Sequence, residues 1–133
     1  MKACVLYYSQ TGNTKSFAEA ISETLDAPVF DITTAEPSVV NDFDAVLIGT
    51  PVHGFNPSKE AMAFVERLPD GDKKKTVLFC THRLWTGRTF GKLKSALKKK
   101  SYSTVLCVSV KGKKFSKDDF IKPTEKIVKK LQE

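Results

Sequence analysis

The run Ser9-Gln10-Thr11-Gly12-Asn13-Thr14 gathers three hydroxyl side chains and one glycine where an apolar stretch, Ala3 to Tyr8, gives way to the helical spacing Phe17, Ile21, Leu25. Such a junction presents uncommitted backbone N–H groups, the positive end of a helix dipole and three O–H donors, which together can hold a dianionic phosphate without a lysine. A phosphoester ligand is the chemistry these residues predict. The same hexamer also suits a plain strand-to-helix turn capped by a Thr or Asn side chain, and taken alone it does not separate the two.

The elements around it narrow the choice. Apolar runs rich in β-branched residues recur at Ala3–Tyr8, Val29–Ile32, Ala45–Gly49, Thr76–Cys80 and Thr104–Val110, with helical periodicity between most of them. Their near-continuous apolarity marks strands covered on both faces, and strand–helix alternation marks parallel pairing. The expected fold is α/β, a doubly wound five-stranded parallel sheet with helices on both faces, in one domain over residues 1–133. The first helix begins near Asn13 and stops before Pro28. Asn56 and Pro57 read as the cap and first residue of a second helix that ends at Pro69-Asp70-Gly71. A third runs from Gly87 to Lys99, and Ser116 introduces a terminal helix with Pro123 near its start. The polar stretch Thr33 to Asp42 reads as loop.

In an open sheet of this kind ligands bind beyond the carboxyl ends of the strands. Three loops qualify: Ser9–Thr14, Thr50–Asn56 and Thr81–Arg88. The second sets a flexible Gly54 between the rings of His53 and Phe55; the third carries the only tryptophan, Trp85. Two aromatic-bearing loops beside a phosphate cradle suit a flat conjugated ring. Core packing is the alternative for Trp85, and a hydrophobic staple on the next helix is the alternative for Phe55.

At these residues the chain resembles the flavodoxin family. Ser9, Thr11, Gly12 and Thr14 match its Ser/Thr-x-Thr-Gly-x-Thr phosphate signature, and Gly49-Thr50-Pro51-Val52-His53-Gly54-Phe55-Asn56-Pro57 looks like the second flavin loop of its short members. The resemblance implies FMN as cofactor and strand order 2-1-3-4-5. It assigns Ser9, Gln10, Thr11, Gly12, Asn13 and Thr14 to the phosphate, and Thr50, Pro51, Val52, His53, Gly54 and Phe55 to one side of the isoalloxazine. Thr81, His82, Arg83, Trp85 and Gly87 close the other side, with Trp85 as the stacking candidate. The implied function is electron transfer between redox proteins, such as a reductase or a ferredoxin-type donor, with no catalytic side chain. An FMN-dependent NAD(P)H:quinone oxidoreductase is the alternative, and a cofactor-free binding module with a basic docking face ranks below both. One departure stands out: flavodoxins usually surround the flavin with acidic residues, whereas these loops hold no Asp or Glu.

Composition agrees with a small intracellular domain. With 133 residues the chain can bury a core without disulfides, and Cys4, Cys80 and Cys107 each sit in an apolar run, as buried thiols do. No run approaches the ~18–20 apolar residues of a membrane span, and Met1-Lys2 leads straight into a strand pattern, so a cytoplasmic protein with no membrane partner is expected. The net charge of +7 hides a division. Up to Asp72 there are 4 Lys/Arg against 11 Asp/Glu; from Lys73 onward there are 18 against 4. The basic half suits a docking face for an acidic partner, a nucleotide or a nucleic acid, although surface lysines on helices are usually a plain solvated face; the family resemblance implies an acidic acceptor face on a redox partner, not a nucleic acid. The chain lacks the residue order of a P-loop and of a dinucleotide fingerprint. Neither Cys4 nor Cys80 is followed by arginine at tyrosine-phosphatase spacing. His53 and His82 have no third ligand to complete a metal site.

Overall fold

The computed structural model describes residues 2–133. In chain order the elements are β1 (Ala3–Tyr7), α1 (Asn13–Leu25), β2 (Val29–Asp31), β3 (Ala45–His53), β4 (Asn56–Pro57), α2 (Lys59–Glu66), β5 (Lys75–His82), α3 (Thr89–Lys99), β6 (Ser103–Lys111) and α4 (Ile121–Leu131). Among the described residues five parallel strands run in the order β2-β1-β3-β5-β6, and β4 pairs antiparallel with the end of β3. The expected connectivity is present, with one two-residue hairpin strand added.

Strand periodicity explains the continuous apolar runs. Cys4 and Leu6 of β1, Val46 and Ile48 of β3, and Leu78 of β5 pack with Ala61, Phe64 and Val65 of α2 and Leu93 and Leu97 of α3. Their neighbours Val5, Tyr7, Leu47, Val77 and Phe79 point to the opposite face, among Phe17, Ala18 and Ile21 of α1 and Ile127 of α4. Successive residues of β1, β3 and β5 are therefore buried on one face or the other with no polar alternation, whereas edge strand β6 alternates buried Val108 and Val110 with exposed Ser109 and Lys111. Between β2 and β3 a single 3-10 turn, Pro37–Asp42, replaces a helix and buries Pro37 and Val40.

Two boundaries differ from the sequence expectation. Thr50–Asn56 is not a free loop: β3 continues to His53, turns at Gly54 and Phe55 with φ of 56° and 64°, and returns as β4. Positive φ at both turn residues is the two-residue hairpin geometry whose twist matches paired strands. The second helix accordingly starts later, at Lys59. Ser58 caps it, accepting the Ala61 N–H at 3.1 Å, and Asn56 and Pro57 belong to the hairpin. Likewise β5 extends through Thr81 and His82, so that loop begins at Arg83. At the other end of the chain Ser116 and Asp119 form a capping box around a 3-10 turn, Lys117–Phe120, that leads into α4. Pro123 falls in the first turn of α4, where a missing N–H costs no helical bond.

Phe17 is the centre of the α1/α4 face. Its fully buried ring lies 5.1 Å from that of Phe79 at 67° and 4.9 Å from that of Phe120 at 10°. Replacing it with alanine leaves a cavity touching a helix, a strand and the approach to α4. Phe17→Ala should lower unfolding stability by about 3–5 kcal/mol in a urea titration; a loss below about 1 kcal/mol would mean the face collapses around the gap.

Candidate cofactor site

The amino end of α1 is left open. Gly12 occupies the N-cap position at φ 98°, a conformation that excludes ordinary side chains, and no side chain caps the helix. Three of the local candidates are engaged elsewhere. Ser9 Oγ accepts the N–H of Gly12 at 3.0 Å, and Asn13 Nδ2 donates to the carbonyl of Lys113 at 3.0 Å. Thr14 is buried, with its Oγ1 2.9 Å from Thr81 Oγ1. The N–H groups of Asn13, Thr14 and Lys15 consequently meet no acceptor among the described residues. The plain capped turn that the sequence also permitted is not formed.

This open end faces a cleft of about 500 Å³ bounded by Gln10, Thr11 and Asn13, by residues 51–55, by residues 81–85 and by Gly112. The β3–β4 hairpin and the segment before α3 form one unit. Arg88 N–H donates to the Phe55 carbonyl at 2.8 Å, and a Cβ on Gly87 would come within 2.5 Å of that oxygen. Gly87 thus serves the site through close backbone approach and does not line the cleft. Above this junction the Phe55 and Trp85 rings lie 5.8 Å apart, 45% and 65% exposed. Neither ring is in the core. Thr50 is fully buried; its hydroxyl donates to the Pro51 carbonyl at 2.8 Å and accepts the Ser58 N–H at 3.0 Å. Ser9, Gly12, Thr14 and Thr50 therefore shape the walls from behind, while Gln10, Thr11, Asn13, Pro51, Val52, His53, Gly54, Phe55, Thr81, His82, Arg83 and Trp85 reach the cleft. A larger groove of about 870 Å³ between α1 and α4 shares none of these residues.

A family model described as a flavodoxin domain matches residues 4–114. The chain belongs to the flavodoxin family. Its fold is similar to that of the flavodoxin of Streptococcus pneumoniae, with a TM-score of 0.83 over 99% of this chain and 98% of that one at 19% identity. It is also similar to a flavoprotein from Lactobacillus acidophilus solved in complex with FMN, with a TM-score of 0.66 over 81% of this chain and 92% of that one at 16% identity. An uncharacterized protein of Methanocaldococcus jannaschii, MJ0298, is 27% identical over 75 residues, 56% of this chain. The chain spans about half the length of that relative, the match covering 50% of it. Among the described residues of this flavodoxin-family chain no helix is long and apolar enough to cross a membrane.

Sequence inspection missed the turn after β6. Gly112 lines the cleft, its N–H donates to the His82 carbonyl at 2.9 Å, and the Asn13–Lys113 bond ties the turn to the first loop. The signal was available: this turn, too, lies beyond the carboxyl end of a strand and contains glycine. Leu84 likewise lines the cleft.

No carboxylate lines this cleft; Arg83, His53 and His82 are its titratable side chains with cationic forms. Burial lowers the His82 pKa from its ordinary value of 6.5, and the ammonium of Lys111 adds to the effect. Its Nδ1 is buried without a partner. The thiols offer no nucleophile, since burial raises those of Cys4 and Cys80 to about 12. A histidine held below its unfolded pKa binds fewer protons when folded, so stability rises with pH across the interval between the two values. Lowering the pH through 6.5 should destabilise the protein, and His82→Gln should flatten that part of the profile in thermal melts from pH 7.5 to pH 5; an unchanged slope in the variant would clear His82 of the effect.

Proposed function

We propose that this protein binds FMN in the cleft and carries electrons between redox proteins. The observation that carries this reading is the uncapped amino end of α1, which opens onto a cleft large enough for a cofactor and edged by two exposed aromatic rings. The family assignment and the FMN of the Lactobacillus acidophilus flavoprotein support the choice of ligand. In this reading the N–H groups of Asn13, Thr14 and Lys15 and the hydroxyl of Thr11 hold the phosphate. Ser9 and Gly12 keep the loop in shape, and Asn13 contributes its backbone while its side chain secures the Lys113 turn. Residues 51–55 border one side of the ring, and Trp85 covers the other in contact with Phe55. Bound FMN supplies one- or two-electron chemistry; the chain supplies binding, exclusion of water and the local field.

Recording the visible spectrum of natively purified protein tests the reading directly. Flavin bands, or tight FMN uptake on titration, support it; neither would leave a cofactor-free binding module. Steady NADPH consumption without a partner reductase would favour the NAD(P)H:quinone oxidoreductase instead.

Thr11→Leu removes an exposed hydroxyl and crowds the phosphate position without disturbing the buried Thr14–Thr81 pair. FMN affinity should fall about tenfold or more, equivalent to about 1.4 kcal/mol, in a fluorescence titration. Riboflavin, which lacks the phosphate, should lose much less; equal losses for both ligands would sink the phosphate assignment.

Reduction places negative charge on a flavin, and a neighbouring cation favours it. Arg83 is the permanent cation lining the cleft. Arg83→Glu should make the midpoint potential of the bound flavin more negative in a stepwise redox titration, whereas an unchanged potential would show that this guanidinium does not act on the ring.

A further inference from the structure

We infer that the mouth of this cleft is a docking surface for an acidic redox protein. The inference rests on the flavin reading for the word redox; the surface itself is drawn from the side chains. Arg83 lines the cleft, Arg88 follows the glycine that locks the hairpin, and Lys92 lines an adjoining depression with Gln10 and His53. On the neighbouring strand end Lys111 is paired in register with His82, and Lys113 and Lys114 sit on the turn that Asn13 holds against the first loop. All six cations are exposed, and none has a carboxylate within 4 Å: Lys130–Glu133 is the ion pair found among the described residues. Glu60 is the one carboxylate lining either the cleft or the depression.

Leu84, 74% exposed, lines the same cleft as Trp85 and Phe55. Exposed apolar side chains among cations fit a protein face. A nucleic acid would draw on the cations without using Leu84. The uncompensated positive charge selects a partner whose matching face is acidic and makes their association sensitive to salt.

The fold also separates these cations from the other lysines of α3. That helix runs away from the cleft, and Lys100 at its end accepts the Gly71 N–H at 2.7 Å, near the start of β5. Ten helical residues from Arg88 to Lys98 span about 15 Å, beyond the ~10 Å screening length at about 0.1 M salt. Lys98 and Lys99 therefore carry the same charge on the same helix outside the docking surface.

The test is calorimetric titration of the full chain, with and without FMN, against a ferredoxin as the acidic redox probe. Binding should weaken at least tenfold between about 20 mM and about 300 mM salt. Arg88→Glu with Lys92→Glu should lose at least tenfold in affinity, and Lys98→Glu with Lys99→Glu, an equal charge change, less than twofold. Circular dichroism confirms that each variant is folded. Equal losses in both variants, binding indifferent to salt, or tighter binding to a duplex oligonucleotide or to phosphatidylserine vesicles would overturn the docking surface. Failure to take up FMN with ferredoxin binding intact would overturn the flavin reading alone; absence of ferredoxin binding with FMN bound would overturn the docking surface alone.

Discussion

A buried pair of hydroxyls, Thr14 and Thr81 at 2.9 Å, joins the first turn of α1 to the end of β5 across the width of β3. The two residues lie 67 positions apart in sequence, and no neighbouring strand ladder connects them. In a dry interior such a bond is costly to leave unmade, so it fixes the height of the helix end relative to the strand ends. The concavity between the first loop and the 81–85 segment depends on that relation. Thr14 is the signature residue closest to the helix; its side chain works beneath the cradle while its N–H remains part of it.

The contrast among helix ends carries the same point. Ser58 caps α2 by a direct bond, and Ser116 with Asp119 caps the turn before α4. At α1 five polar side chains, those of Ser9, Gln10, Thr11, Asn13 and Thr14, lie within reach in sequence, and none is spent on the cap. α3 also starts without a side-chain cap, at Arg88; what sets α1 apart is that its unsatisfied donors lie beside the cleft, where they have another use. The positive φ of Phe55 belongs to the same pattern. A bulky residue held there costs roughly 1–3 kcal/mol, and the hairpin pairing and the Arg88 N–H hold it against that cost.

Charge is partitioned along the chain, but the topology does not turn the partition into a spatial one. The acidic residues up to Asp72 belong to α1, β2, the segment leading to β3, α2 and the turn after it, while the lysines of the basic half begin just before β5 and gather on α3, the turn after β6 and α4. The helices bring the two populations together on each face, α1 beside α4 and α2 beside α3, whereas the cleft at the strand ends is lined without a carboxylate.

Much was legible before the fold was known. The apolar runs determined the parallel sheet because strands buried on both faces cannot alternate, and the hexamer Ser9–Thr14 marked the ligand end because a strand-to-helix junction with glycine and hydroxyls leaves donors free. Local rules failed where distant groups competed for the same atoms. Asn56 and Pro57 have the types of a helix start, yet strand pairing with Val52 and His53 claims them and passes the cap to Ser58. Asn13 could cap its own helix, but its amide reaches Lys113, 100 positions away. Whether the N–H groups of α1 stayed open, which threonine faced the cleft and which lysines stood at its mouth were decided by hydrogen bonds and strand order spanning the whole chain. A hydroxyl or amide with several partners in reach reveals its use only when tertiary packing has chosen among them.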